Sequence, residues 1–205
     1  MGGLPEALAC VLMAVGEGSL PVAITLAPTP LFACWPTQDV GYSIDSSIPW
    51  HVVPVIQDVL REYRRLGVVR WYEEPDQNAR QTVVFRMTLR HEIHQRAMAT
   101  AYFPLPAYEP LAGDITLYSW WMERGYDPRD LKAVLLHEIG HAVGLDHNLD
   151  TIYSVMAPVL WYPWKTLTRA DLLSLSSCYH SATGIRGSPG YNVGRHAAGP
   201  GEGVR

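Results

Sequence analysis

The sequence predicts an α+β fold with a sheet of about five strands, and three observations carry that expectation. β-rich runs fill the first part of the chain beyond residue 39. One amphipathic helix is set among them. Two further helices follow at the end, the first apolar over much of its girth, as a central buried helix is.

Residues 40–45 read as a short strand. Residues 54–66 read as a helix: Pro54 suits the first turn, and Val55, Ile56, Val59, Leu60, Tyr63 and Leu66 recur at helical spacing. Gly67 is placed to end it. Residues 68–73, 81–88, 98–103 and 114–118 are the other strand candidates, and Pro104, Pro106 and Pro110 break the chain between the last two. Asp127 as N-cap and Pro128 at the first helical position open a second helix that should run to about Val143. Thr168 signals the third, with Asp171 at its third position and Leu172, Leu173 and Leu175 inside.

Around this body, residues 1–38 read as an N-terminal extension punctuated by Gly and Pro, and residues 183–205 as a flexible tail. Whether the extension is a signal, a pro-segment or a structural arm stays open. Residues 7–15 are apolar like a signal-peptide core, but Glu6 precedes them and no Lys or Arg occurs before Arg61. No apolar run approaches the roughly 20 residues that span a bilayer. The three cysteines Cys10, Cys34 and Cys178 permit one disulfide and leave an odd thiol. Apolar content of 48%, charged content of 18% and a net charge of -4 fit a globular domain and give nucleic acid no basic patch to bind.

The segment from His137 to His147 carries the chemistry. It reads H-E-x-x-H-x-x-G-x-x-H. His137 and His141 are four apart on the second helix, so their imidazoles share one face and can meet one metal ion. Glu138 is turned off that axis by about 100°. It can flank the metal without ligating it and take a proton from water held there. Gly144 ends the helix and lets the chain turn, so that His147 returns as a third ligand. Three neutral nitrogens with a fourth position left for water suit a catalytic Zn2+, one ion per chain. His91-Glu92-Ile93-His94 has the wrong spacing for a second such motif and reads as a solvated loop.

These residues resemble the metzincins, and the matrixins most closely. Ser154-Val155-Met156 is similar to the Met-turn, which implies that Met156 is an apolar floor under the metal. Pro158, with Val159 after it, resembles the matrixin segment that walls the specificity pocket. Residues 98–104 resemble the edge strand on which substrate lies, which implies substrate contacts at Met98, Ala99 and Ala101. The resemblance covers about residues 40–181 and implies a twisted mixed sheet, an active-site helix and a closing C-terminal helix. It departs at Thr100 and Thr116, where matrixins usually have His ligands of a structural zinc, and at Tyr118, where an acidic calcium-associated position is usual. A structural zinc and calcium are therefore not expected. Cys34 could cap the metal as a thiolate, although Trp35-Pro36 does not match a matrixin switch segment. Residues 159–162 are apolar and aromatic, either a pocket for an apolar side chain or ordinary core.

The expected function is that of a zinc endopeptidase acting on peptides or proteins. Two rivals stay open at this point: an inactive metal-binding module that recognises peptides or assembles with a partner, and a zinc amidase acting on a non-protein amide. Extracellular location is implied by the resemblance alone, and the oligomeric state is left open.

Overall fold

The structure is a computed structural model. It describes residues 10–14, 33–88, 97–105, 110–123, 125–149, 153–160 and 166–179. The 91–94 segment, Trp161, Tyr162 and the tail from residue 183 lie outside them.

The elements in order are β1 (Cys10–Ala14), β2 (Asp39–Ile44), α1 (Val53–Arg65), β3 (Arg70–Glu73), β4 (Thr82–Thr88), β5 (Ala97–Ala101), β6 (Ile115–Tyr118), α2 (Ser119–Met122), α3 (Pro128–Ala142), β7 (Val159–Leu160) and α4 (Arg169–Tyr179). They form a mixed sheet in the order β3-β2-β4-β6-β5-β1-β7. The five strands from β2 to β6 are those expected from sequence. β1 and β7 add to them at one side. β2, β3, β4 and β6 run parallel, and β5 is antiparallel to β6.

Residue chemistry explains the elements. α1 buries Ile56, Val59, Leu60 and Tyr63, the apolar stripe of the sequence. Asp127 caps α3 by accepting from the Arg129 N–H at 2.8 Å, and Pro128 opens the helix. α3 is buried from Leu131 to Ala142 except Lys132. Lys132 stays at the surface, reaching Asp58 at 3.2 Å and Glu62 at 3.0 Å. Thr168 and Asp171 form the expected reciprocal cap of α4: Asp171 accepts from the Thr168 N–H at 2.8 Å. α2 was not expected. Four residues are too few for periodicity to show, and residues 119–126 carry no assigned element in the sequence reading.

β5 is built of Ala97, Met98, Ala99, Thr100 and Ala101, all buried. Such small side chains let α3 approach closely, and α3 packs on β5 and also on β1. Trp35 joins the core and donates its indole N–H to the Ala142 carbonyl at 2.9 Å, at the end of α3. Beside it, Cys34 is disulfide-bonded to Cys178 of α4, with Cα atoms 6.4 Å apart. That bond removes Cys34 as a thiolate cap and leaves Cys10 as the odd cysteine. Among the described residues no helix is long and apolar enough to cross a membrane.

Candidate metal centre

α3 sets His137 and His141 one turn apart, both fully buried. The helix then stops at a Schellman turn. The Leu145 N–H donates to the Gly140 carbonyl and the Gly144 N–H to the His141 carbonyl, both at 2.9 Å. Gly144 takes φ +107°, and a Cβ there would overlap the Ala33 carbonyl oxygen. The turn carries the chain back so that His147 meets the other two. Asn148, next in sequence, donates its N–H to the Met156 carbonyl at 2.9 Å.

The imidazoles are held from behind. Nδ1 of His137 lies 2.7 Å from the Val155 carbonyl, and Nδ1 of His141 lies 2.7 Å from the Leu145 carbonyl. A carbonyl only accepts, so each Nδ1 carries the proton and each Nε2 presents a lone pair. The two Nε2 atoms are 2.9 Å apart. Two lone pairs at that distance repel unless a cation or proton joins them. His147 Nε2 is buried and has no hydrogen-bond partner. The ligand atoms of all three lie within 4.8 Å of one another, so the group could hold a metal ion. Among the described residues this is the one such group. Its donor set, three neutral imidazoles without thiolate, fits zinc. Burial pushes His141 down to about 3 and, against the pull of Asp146, lowers His147 too, so both rings stay unprotonated and ready to ligate at neutral pH.

Glu138 is fully buried, and neither carboxylate oxygen has a hydrogen-bond partner. Burial pushes its carboxyl well above the usual range. A carboxyl buried without a partner is costly in a purely structural role.

Met156 is fully buried beneath α3. Its Sδ lies so close to Gly140 that a Cβ there would collide with it. The turn that carries Met156 is tied to α4. Ser154 Oγ donates to Asp171 at 2.9 Å and accepts from the Met156 N–H at 2.9 Å. Ser154 and Asp171 are both fully buried. Tyr63 of α1 donates to the Leu136 carbonyl at 2.7 Å and braces α3 near the same glycine, its hydroxyl also lying close to where a Cβ on Gly140 would go.

The remaining candidates lie along the sheet. Met98, Ala99 and Ala101 sit on β5, where Ala99 and Ala101 each face a residue of β1. Pro158 and Val159 are half-buried, and Val159 pairs with Met13 of β1. Thr100 and Thr116 face each other across β5 and β6, and Thr100 Oγ1 is 3.2 Å from the Tyr118 hydroxyl. Two of the positions that depart from the matrixin pattern, Thr100 and Tyr118, thus share a hydroxyl contact. The sequence reading missed β1, the two carbonyls behind the histidines and the Ser154–Asp171 link. Only Asp171 had a local signal, as a cap residue.

The family model for matrixins matches residues 70–180, more than half of the 205-residue chain. No curated protein matches it.

Proposed function

We propose that this chain, which belongs to the matrixin family, is a zinc-dependent endopeptidase with His137, His141 and His147 as metal ligands and Glu138 as the general base. One observation carries the reading: a buried carboxylate without a hydrogen-bond partner lies one residue after the first of three converging imidazoles. A site that only bound metal would have no use for it.

A zinc ion held there would polarise the scissile carbonyl and acidify the attacking water. Glu138 would take that water's proton and pass it to the leaving amine. The carbonyls of Val155 and Leu145 hold the two helical rings in register, and Met156 acts as the apolar floor beneath them. Substrate would lie extended along β5 at Met98, Ala99 and Ala101, with Pro158 and Val159 walling a pocket for an apolar side chain. One zinc suffices. Thr100, Thr116 and Tyr118 offer hydroxyls, which are poor zinc ligands.

The test is cleavage of a quenched mixed peptide library, with bound metal quantified in parallel. The Glu138→Ala protein should keep about one zinc and lose roughly 10²–10⁴-fold in rate, the usual range for a general base. A chelator should abolish cleavage. A folded protein that binds no zinc, or a Glu138→Ala protein that cleaves as well as its parent, would sink the reading.

A further inference from the structure

The outer edge of β5, where the peptidase reading places substrate, already has a strand of the same chain on it. Cys10 pairs with Ala101, Val11 with Thr100, Leu12 with Ala99 and Met13 with Ala97, all antiparallel. On its other side β1 runs parallel to β7, with Met13 facing Val159 and Ala14 facing Leu160. One extended segment therefore fills the slot between the two surfaces assigned to substrate, beside the helix that carries the candidate metal ligands.

We propose that residues 10–14 are an intramolecular occupant of the peptide groove and compete there with peptides from outside. The role of the groove rests on the peptidase reading; the occupancy rests on strand pairing alone. Three features support it. First, β7 has β1 as its sheet partner, and without β1 the edge of β5 would be bare. The slot offers one antiparallel and one parallel neighbour, which fixes the direction of any strand that enters. Second, Cys-Val-Leu-Met-Ala has no charge, no Pro and no Gly, so nothing in it opposes an extended conformation. Main-chain pairing of this kind accepts many sequences, and an outside peptide could take the same place. Third, the pairing slips between Leu12 and Met13, skipping Met98. The Met98 carbonyl accepts instead from the Trp121 indole at 2.8 Å, and the Ala97 carbonyl from Trp120 at 2.7 Å. β1 is thus regularly paired with β5 over Cys10–Leu12 and with β7 over Met13–Ala14, so each part of the strand is held mainly from one side.

A tethered strand acts at an effective concentration of roughly millimolar, so a micromolar peptide should compete poorly until the strand is displaced. The test uses the full chain with Glu138→Ala, which cannot consume the probe, and the same protein carrying Val11→Pro and Leu12→Pro. Val11 and Leu12 both pair with β5, and neighbouring residues of a strand turn their N–H groups to opposite sides, so proline at both removes whichever N–H points to β5 and loosens β1 there. The probe is a labelled synthetic peptide with the sequence of residues 8–16. The double-proline protein should bind it at least tenfold more tightly. Hydrogen exchange at β5 should quicken in that protein when no peptide is present. Equal affinity and equal exchange in the two proteins would overturn the proposal. So would exchange at residues 11–13 of the unmodified chain as fast as in the free peptide, a measurement that needs no variant. Tighter peptide binding by the double-proline protein, with no cleavage once Glu138 is restored and zinc is bound, would support the occupancy and defeat the peptidase reading instead.

Discussion

Below the candidate metal centre, buried side chains do the holding. His137 and His141 rest on carbonyls, Ser154 on Asp171, and the α3 carbonyl of Leu136 on Tyr63, all at 2.7–2.9 Å. Along the slot beside it, β1 is held by main-chain pairing to β5 and β7. Bonds of the first kind depend on one side chain each, and removing a buried partner strands the other. Bonds of the second kind can be made equally by another extended chain. The floor is therefore built to keep one geometry, and the slot to exchange its occupant. The floor can be broken where it is most rigid, and damage there should reach the ligands.

Gly144→Ala should do the most harm. The positive φ costs about 1–2 kcal/mol for a residue with a Cβ, and the overlap with the Ala33 carbonyl adds about 1–3 kcal/mol of overpacking. A fall of about 3–4 kcal/mol in unfolding free energy is expected from denaturant titration. Gly67 is the control. It also ends a helix at positive φ, +70°, but a Cβ there meets nothing within 4 Å. Gly67→Ala should cost only about 1 kcal/mol. Equal losses at the two sites would mean that Ala33 does not close down on the turn.

Asp171→Asn comes next. The carboxylate accepts from Ser154 Oγ and from the Thr168 N–H and hydroxyl, fully buried. An amide can replace one acceptor oxygen, but its NH2 then faces either the Thr168 N–H or the Ser154 hydroxyl, a donor where a donor already points. A loss of about 2–3 kcal/mol follows from stranding buried groups. The more telling readout is metal affinity. The Val155 carbonyl behind His137 lies between Ser154 and Met156, so a loosened turn should weaken zinc binding roughly 10–100-fold, the usual effect of disturbing groups that orient a ligand. Unchanged zinc affinity in a destabilised protein would confine Asp171 to α4 capping.

These two sites also show why parts of the molecule were legible in sequence and others were not. The α3 motif could be read because its geometry is local: four residues place two imidazoles, and one glycine returns the third. The caps at Asp127 and Thr168 are local as well. The Ser154–Asp171 link joins two turns seventeen residues apart, and no periodicity encodes it. Parity of the cysteines allowed one disulfide, but only the fold brings Cys34 to Cys178 across 144 residues. β1 was the hardest case. Its five residues are apolar in any reading, and what makes them a strand is an edge at residues 97–101 that only tertiary structure presents.

A change of pH, without any substitution, separates the floor from its metal. With zinc stripped by a chelator, burial holds His141 at about 3 against an unfolded value of 6.5. The folded state thus favours the neutral ring. This contribution is complete above pH 6.5 and is lost as pH falls from there towards 3. Between pH 7.5 and pH 5 the stripped protein should lose about 2 kcal/mol from His141, by the linkage between pKa shift and stability. His147 is shifted the same way and should add to the loss. Zinc should suppress the slope, because bound imidazoles cannot take up protons until the metal leaves. Urea midpoints at the two pH values, with and without chelator, measure it. A stripped protein as stable at pH 5 as at pH 7.5 would mean that the histidine cluster opens to water once the metal is gone. The floor would then be no more fixed than the slot beside it.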